Sequence, residues 1–257
     1  MPASRVPREA LIETSMTRRT LRTGCGGPHG ACPAAAPYKE KSATMPYAEQ
    51  SPLVVHWSRA ETERDGTPLL VALHGRGADE RTFSEIAPHL PEDTTIAFVR
   101  APIAEDGGYA WFANRGIGRP VAESIADSAE RIFGWLDGEA ARHSSVSLLG
   151  FSGGMAMAGG LLLAEPGRFA SAALLSGTLP WDAGLPSEPG RLAGVRVLWA
   201  RDAQDTVIPA DLVSRTGEWL REKSGADLDE RVYPALGHAI AAAELADVRD
   251  FLGAPGN

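Results

Sequence analysis

From residue 52 onward the chain alternates short apolar runs with longer stretches of helical period. The runs lie at 53–57, 69–73, 95–99, 146–149, 172–175, 195–200 and 231–233, and many are bounded by Gly, Pro or Asp. Short apolar runs between such breakers read as buried strands. Between most of them the period changes to that of a helix. In 120–142, Val121, Ile125, Ile132, Phe133 and Leu136 fall on one face, with Glu123, Asp127, Glu130 and Arg131 largely off it. Residues 211–223 and 239–252 are two further helical stretches, and the second aligns Leu245, Val248, Phe251 and Leu252. Strand–helix alternation with fully apolar strands predicts an α/β fold with a mostly parallel sheet covered on both faces. No repeat and no second domain is visible. In such sheets ligands bind outside the carboxyl ends of the strands, so the chemistry is expected just after these runs.

Residues 144–164 carry no charge and by length alone could cross a membrane. Their middle is Gly150-Phe151-Ser152-Gly153-Gly154, which reads instead as a strand, a tight turn and a helix over 155–164. The chain offers no other membrane-spanning candidate.

Composition changes the picture at the amino end. Residues 1–44 hold seven Lys/Arg against Glu9, Glu13 and Glu40, have Tyr38 as their one aromatic residue, and show no sustained apolar period. Such a segment cannot bury enough apolar surface to offset the entropy of ordering, and it is expected to be a disordered tail or an upstream mis-start, with the domain spanning 45–257. Arg18-Arg19 resembles a twin-arginine signal, but Thr23-Gly24-Cys25-Gly26-Gly27 is not the apolar run that export requires. An organelle transit peptide fits the Arg and Thr content better, yet the plainer expectation is a cytoplasmic protein. Two cysteines in this length exclude a disulfide scaffold, and Cys25 and Cys32, with no second Cys pair and only His29 between them, argue against a zinc ribbon. From Met45 onward acidic residues exceed basic ones, so a nucleic acid is a poor partner.

Candidate chemistry sits where the strand ends predict it. Gly150-Phe151-Ser152-Gly153-Gly154 matches G-x-S-x-G, with a strand before it and a helix after it. Glycines on both flanks permit a sharp turn that lifts the Ser152 hydroxyl off the sheet, and the new helix aims its free N–H groups at the site. A serine hydroxyl needs a base, and the base needs an orienting acid. Of six histidines, His238 follows the last strand run and precedes the last helix. His74 also follows a strand, in Leu73-His74-Gly75-Arg76-Gly77-Ala78-Asp79-Glu80, where it is expected to hold the loop by hydrogen bonds. For the acid, both Asp202 and Asp205 lie in reach after the 195–200 strand. An oxyanion needs two backbone donors: one is expected from Gly153, the other from the loop that opens with His74-Gly75.

These motifs, with Asp205-Thr206-Val207-Ile208-Pro209 and Gly237-His238, occur in an order that resembles the phospholipase/carboxylesterase family of α/β-hydrolases. The resemblance covers about 52–252. It implies an α/β-hydrolase fold, with Ser152 as nucleophile, His238 as base and Asp205 as acid. It also implies oxyanion donors at Arg76 and Gly153, and neither metal nor cofactor. Gly108-Tyr109-Ala110-Trp111-Phe112 is similar to the family's segment lining the acyl site. The eukaryotic thioesterases of the family carry Gln after the nucleophile and an apolar residue after His-Gly; Gly153 and Arg76 stand here instead, which weakens a protein-deacylating reading.

The expectation is a serine carboxylesterase acting on small-molecule acyl esters of short to medium chain. Tyr109, Trp111 and Phe112 are expected to bind the substrate, Leu179-Pro180-Trp181 to face them, and no helical lid is evident. The alternatives are the same triad aimed at a thioester or a lysophospholipid, and a non-catalytic hydrolase fold used for binding.

Overall fold

The computed structural model describes residues 52–105, 107–234 and 236–254. The expected 1–44 tail, with Cys25, His29 and Cys32, lies outside the described residues, as does Met45.

All seven predicted runs are strands of one sheet: β1 (Val55–Trp57), β2 (Leu69–Leu73), β3 (Thr95–Val99), β6 (Val146–Phe151), β7 (Ser171–Leu175), β8 (Arg196–Asp202) and β9 (Asp227–Tyr233). Their order is β1-β3-β2-β6-β7-β8-β9. Only β1 runs antiparallel, pairing Val55 with Val99; β3, β2, β6, β7, β8 and β9 are parallel to one another. The predicted helices are α2 (Ala122–Glu139), α3 (Gly153–Ala164), α4 (Ala210–Glu222) and α5 (Ala242–Gly253).

Alternation along the strands divides the interior in two. Leu69, Val71 and Leu73 of β2 enter a core with Ile125, Ile132 and Leu136 of α2, Met155 and Leu161 of α3 and Trp219 of α4. Leu70 and Ala72 enter another with Leu245, Val248 and Phe251 of α5. Successive residues of a strand point to opposite faces, so a continuous apolar run is what a sheet covered on both sides requires. Each such leucine contributes about 1.5–3 kcal/mol. α3 is buried nearly all round, as a helix apolar on every face must be. Among the described residues no helix is long and apolar enough to cross a membrane.

Three elements go beyond the sequence expectations. A short α1 (Glu80–Phe83) is capped by Asp79, whose Oδ1 accepts from the backbone N–H of Arg81 at 3.0 Å and Thr82 at 2.8 Å. Glu80, buried at its start, forms a bidentate pair with Arg100 after β3, at 2.6 and 2.5 Å. A separate hairpin, β4 (Ile103–Glu105) with β5 (Gly108–Ala110), stands outside the sheet. β9 begins four residues before the expected run, because Asp227, Asp229 and Glu230 hide it: as the sheet's edge, it is charged rather than apolar.

Candidate active site

Every predicted chemical residue falls at the carboxyl edge of the sheet. β6 ends at Phe151, α3 starts at Gly153, and Ser152 between them has φ 55° and ψ −116°. A positive φ is costly for any residue with a Cβ. The neighbours explain how the turn is held. A Cβ on Gly150 would collide with the Gly154 carbonyl, and one on Gly154 with the Leu73 carbonyl of β2. Only glycine at both places lets the turn close this tightly against the next strand.

The turn brings Ser152 to His238. Their Oγ and Nε2 are 2.8 Å apart, and His238 Nδ1 is 2.8 Å from Asp205 Oδ2. Asp205 Oδ1 is occupied separately, accepting from the N–H groups of Val207 at 2.8 Å and Ile208 at 3.2 Å. The carboxylate is thereby fixed with one oxygen toward the imidazole. Because that oxygen can only accept, Nδ1 carries the proton and Nε2 is left to accept from the serine hydroxyl. The His238 and Asp205 side chains are 9% and 6% exposed. Phe151 lies against the imidazole, with ring centroids 5.2 Å apart. Asp202, the other sequence candidate, is engaged elsewhere: its carboxylate accepts from the backbone N–H groups of Gln204 and Leu236.

The two expected oxyanion donors are adjacent. A Cβ on Gly153 would lie 3.3 Å from the Arg76 backbone nitrogen. Gly153 opens α3, so its N–H has no acceptor within the helix. The Arg76 N–H has no backbone acceptor among the described residues. The loop carrying Arg76 is braced from within. His74 is fully buried; its Nδ1–H donates to the Gly75 carbonyl at 2.7 Å, and its Nε2 accepts from the Ala101 N–H at 3.1 Å. Burial lowers its pKa and keeps the ring neutral. The Arg76 guanidinium pairs with Glu105 of β4 and donates to the Phe112 carbonyl, which ties the loop to the hairpin.

The aromatic segment requires a correction. Trp111 and Phe112 were expected to bind the substrate, but they are 1% and 4% exposed and belong to the core. The Trp111 indole N–H donates to the His74 carbonyl at 2.8 Å, so this ring supports the loop from below. Tyr109 is half-buried under the Arg100 guanidinium, 4.7 Å from its centroid, and its backbone pairs with residues 77–78. Trp181 likewise turns from the site toward α4, donating to Thr216 Oγ1 at 3.1 Å and packing edge-on against Trp219. A buried indole N–H usually finds a partner, and those of Trp111 and Trp181 find theirs in the frame.

Sequence reasoning missed residues 176 and 177. Ser176 follows β7 with φ 44° and is 1% exposed, and a Cβ on Gly177 would lie 2.9 Å from the Ser152 carbonyl oxygen. Their place just past a strand end was the available signal.

Comparison with known proteins agrees with this architecture. Residues 58–254 match the phospholipase/carboxylesterase family. A probable carboxylesterase of Oryza sativa subsp. japonica is 28% identical over 205 residues, covering 70% of this chain and 85% of the rice protein. Carboxylesterase SOBER1 of Arabidopsis thaliana is 25% identical over 141 residues, 53% of this chain and 61% of that one. Among solved structures, a carboxylesterase from Mesorhizobium loti superposes with a TM-score of 0.68 at 27% identity, covering 79% of this chain and 95% of its own. With sheet order, strand-end turn and family match in agreement, the chain has the α/β-hydrolase fold and belongs to the phospholipase/carboxylesterase family.

Proposed function

We propose that this member of an ester-hydrolysing family is a serine carboxylesterase whose triad is Ser152, His238 and Asp205. The observation that carries the reading is the continuous hydrogen-bonded chain Ser152 Oγ–His238 Nε2 and His238 Nδ1–Asp205 Oδ2, each link 2.8 Å. Ser152 Oγ attacks the acyl carbonyl carbon as its proton passes to His238 Nε2. The carbonyl π electrons move to oxygen, and that oxyanion is met by the N–H groups of Gly153 and Arg76. The imidazolium, stabilised by Asp205, returns the proton to the departing alkoxide as the C–O bond breaks. Water then attacks the acyl-enzyme carbonyl as His238 takes its proton; the acyl–Oγ bond breaks, the imidazolium returns the proton to Ser152 Oγ, and the acid is released. No step calls on a metal or cofactor.

The substrate is a dissolved small-molecule ester of short to medium acyl chain. The connections after β6, β7 and β8 are α3, a loop with one 3₁₀ turn, and α4, and none adds a helical lid. Gly153 and Arg76, where the deacylating thioesterases differ, favour an ester over a protein thioester.

A fluorophosphonate is expected to label the folded protein once, at Ser152, and to leave Ser152→Ala unlabelled. p-Nitrophenyl butyrate turnover is expected to exceed that of the palmitate ester and of a palmitoyl thioester. No label on folded protein would sink the catalytic reading in favour of a binding module. A palmitoyl preference would replace carboxylesterase by thioesterase or phospholipase.

A further inference from the structure

We infer that Asp202 is a positioning residue, clamping the loop that presents the acid to the loop that presents the base. The inference rests on the triad proposed above. Asp202 is the last residue of β8, opposite Tyr233, the last residue of β9. One step further, the Ala203 N–H still reaches the Tyr233 carbonyl at 3.2 Å. The two chains then part, one toward Asp205 and the other toward His238. At the parting, Asp202 Oδ1 accepts from the Gln204 N–H and Oδ2 from the Leu236 N–H. Gln204 directly precedes Asp205, and Leu236 stands two residues before His238. A single carboxylate thus holds both loops by their backbones, immediately before the residues that must meet at 2.8 Å.

The chemistry selects an aspartate. Two N–H donors converge on one side chain, so it must accept twice and donate nothing, which a carboxylate does and a carboxamide does not. Asparagine would aim its NH₂ at one of the two N–H groups. Asp202 is 4% exposed, so water cannot replace the lost acceptor. Among the described residues no cation pairs with Asp202: Glu244 of α5 is fully buried beside it, and Asp247 is engaged by the Tyr233 hydroxyl at 2.5 Å. The ionised Asp202 is therefore directed at the two loop N–H groups, and charge-assisted bonds of this kind are the strong ones.

Asp202→Asn and Asp202→Ser are the test, read below their melting temperatures by steady-state kinetics on p-nitrophenyl butyrate and by fluorophosphonate labelling. The labelling end-point counts folded sites and its rate reports their competence. We expect full end-point labelling at a reduced rate, and kcat lowered about tenfold to a hundredfold, as misplacement of reacting groups by about an ångström does. KM should stay within about twofold. The acid limb of the kcat/KM profile should move to lower pH, because a loosened Asp205 stabilises the imidazolium less. If asparagine prevents folding, the serine variant, which keeps one acceptor, gives the same readouts. Unchanged kcat and acid limb in a folded variant would overturn the inference and leave Asp202 a purely structural cap. Turnover surviving in Ser152→Ala would instead overturn the triad, so the two failures are distinct.

Discussion

Glu244→Gln is a perturbation whose effect on stability follows from one buried group. Glu244 lies in the first turn of α5, fully buried, with no cation paired to it among the described residues. Burial, opposed by a hydrogen bond from the Ala241 backbone and reinforced by the carboxylates of Asp247 and Asp202, raises its pKa from 4.5 to about 8. Below pH 4.5 the unfolded chain also holds this proton, and the group makes no pH-dependent contribution. Between 4.5 and about 8 the unfolded chain releases a proton that the folded chain keeps, so stability falls as pH rises. Above about 8 both forms are ionised and the loss is constant. Each pH unit in that window costs about 1.4 kcal/mol, so the full span reaches roughly 5 kcal/mol. That is comparable with the whole stability of a domain, and even half of it is easily measured. Glutamine has the same shape and no proton to lose. Urea unfolding of both proteins at unit intervals from pH 5 to 9 is therefore expected to give curves that diverge, with the variant gaining on the wild type up to pH 8 and running parallel beyond. The slope decides the matter, because an unpaired buried amide adds only a constant offset. Parallel curves from pH 5 to 8 would refute the reasoning and mean that Glu244 is ionised in the folded protein.

Three further outcomes are expected. Asp205→Asn should lower kcat by roughly 10⁴, as in a well-studied triad: its remaining oxygen stays with the Val207 and Ile208 N–H groups, the new NH₂ faces Nδ1, and Nε2–H then points at Ser152 and cannot act as a base. A loss under tenfold would show that another group orients His238. Trp111→Ala should destabilise the fold by about 3–5 kcal/mol in urea titrations, as large core truncations do, rather than chiefly reshape chain-length preference; a neutral effect would return Trp111 to the acyl wall. Removing residues 1–44 should leave melting temperature and esterase rate nearly unchanged, and a drop of several degrees would mean that the segment packs on the domain.

The parts legible in the sequence are those where one physical rule acts alone. β2 and β3 could be read because all five residues of each are buried between two helix layers, and nothing but an apolar run suits that place. Ser152 and His238 stood out because their positions follow strand ends. Interactions between distant segments stayed hidden. The Asp202 carboxylate and the Leu236 N–H are 34 residues apart in the chain, so loop chemistry alone left Asp202 and Asp205 as equals. Trp111 looked like a pocket wall because an aromatic near a sheet edge has the same local sequence whether it faces substrate or supports a loop. Glu244 reads as an ordinary acid in a helix's first turn, although its place four residues before Val248 puts it on the buried face.

The backbone at Ser152, with φ 55° and ψ −116°, sets the chemistry against the fold. Glycine alone adopts that conformation freely, while a side chain there costs on the order of 1–3 kcal/mol. A population of such chains selected for thermal persistence alone would drift toward glycine at position 152, and the drift would be irreversible in practice, since each compensating change would then relax the tight turn. Serine rather than glycine at this strained position is thus what the proposed nucleophilic role demands of the chain, at a cost in stability. A descendant freed from hydrolysis should betray itself first there, by becoming both silent and harder to unfold.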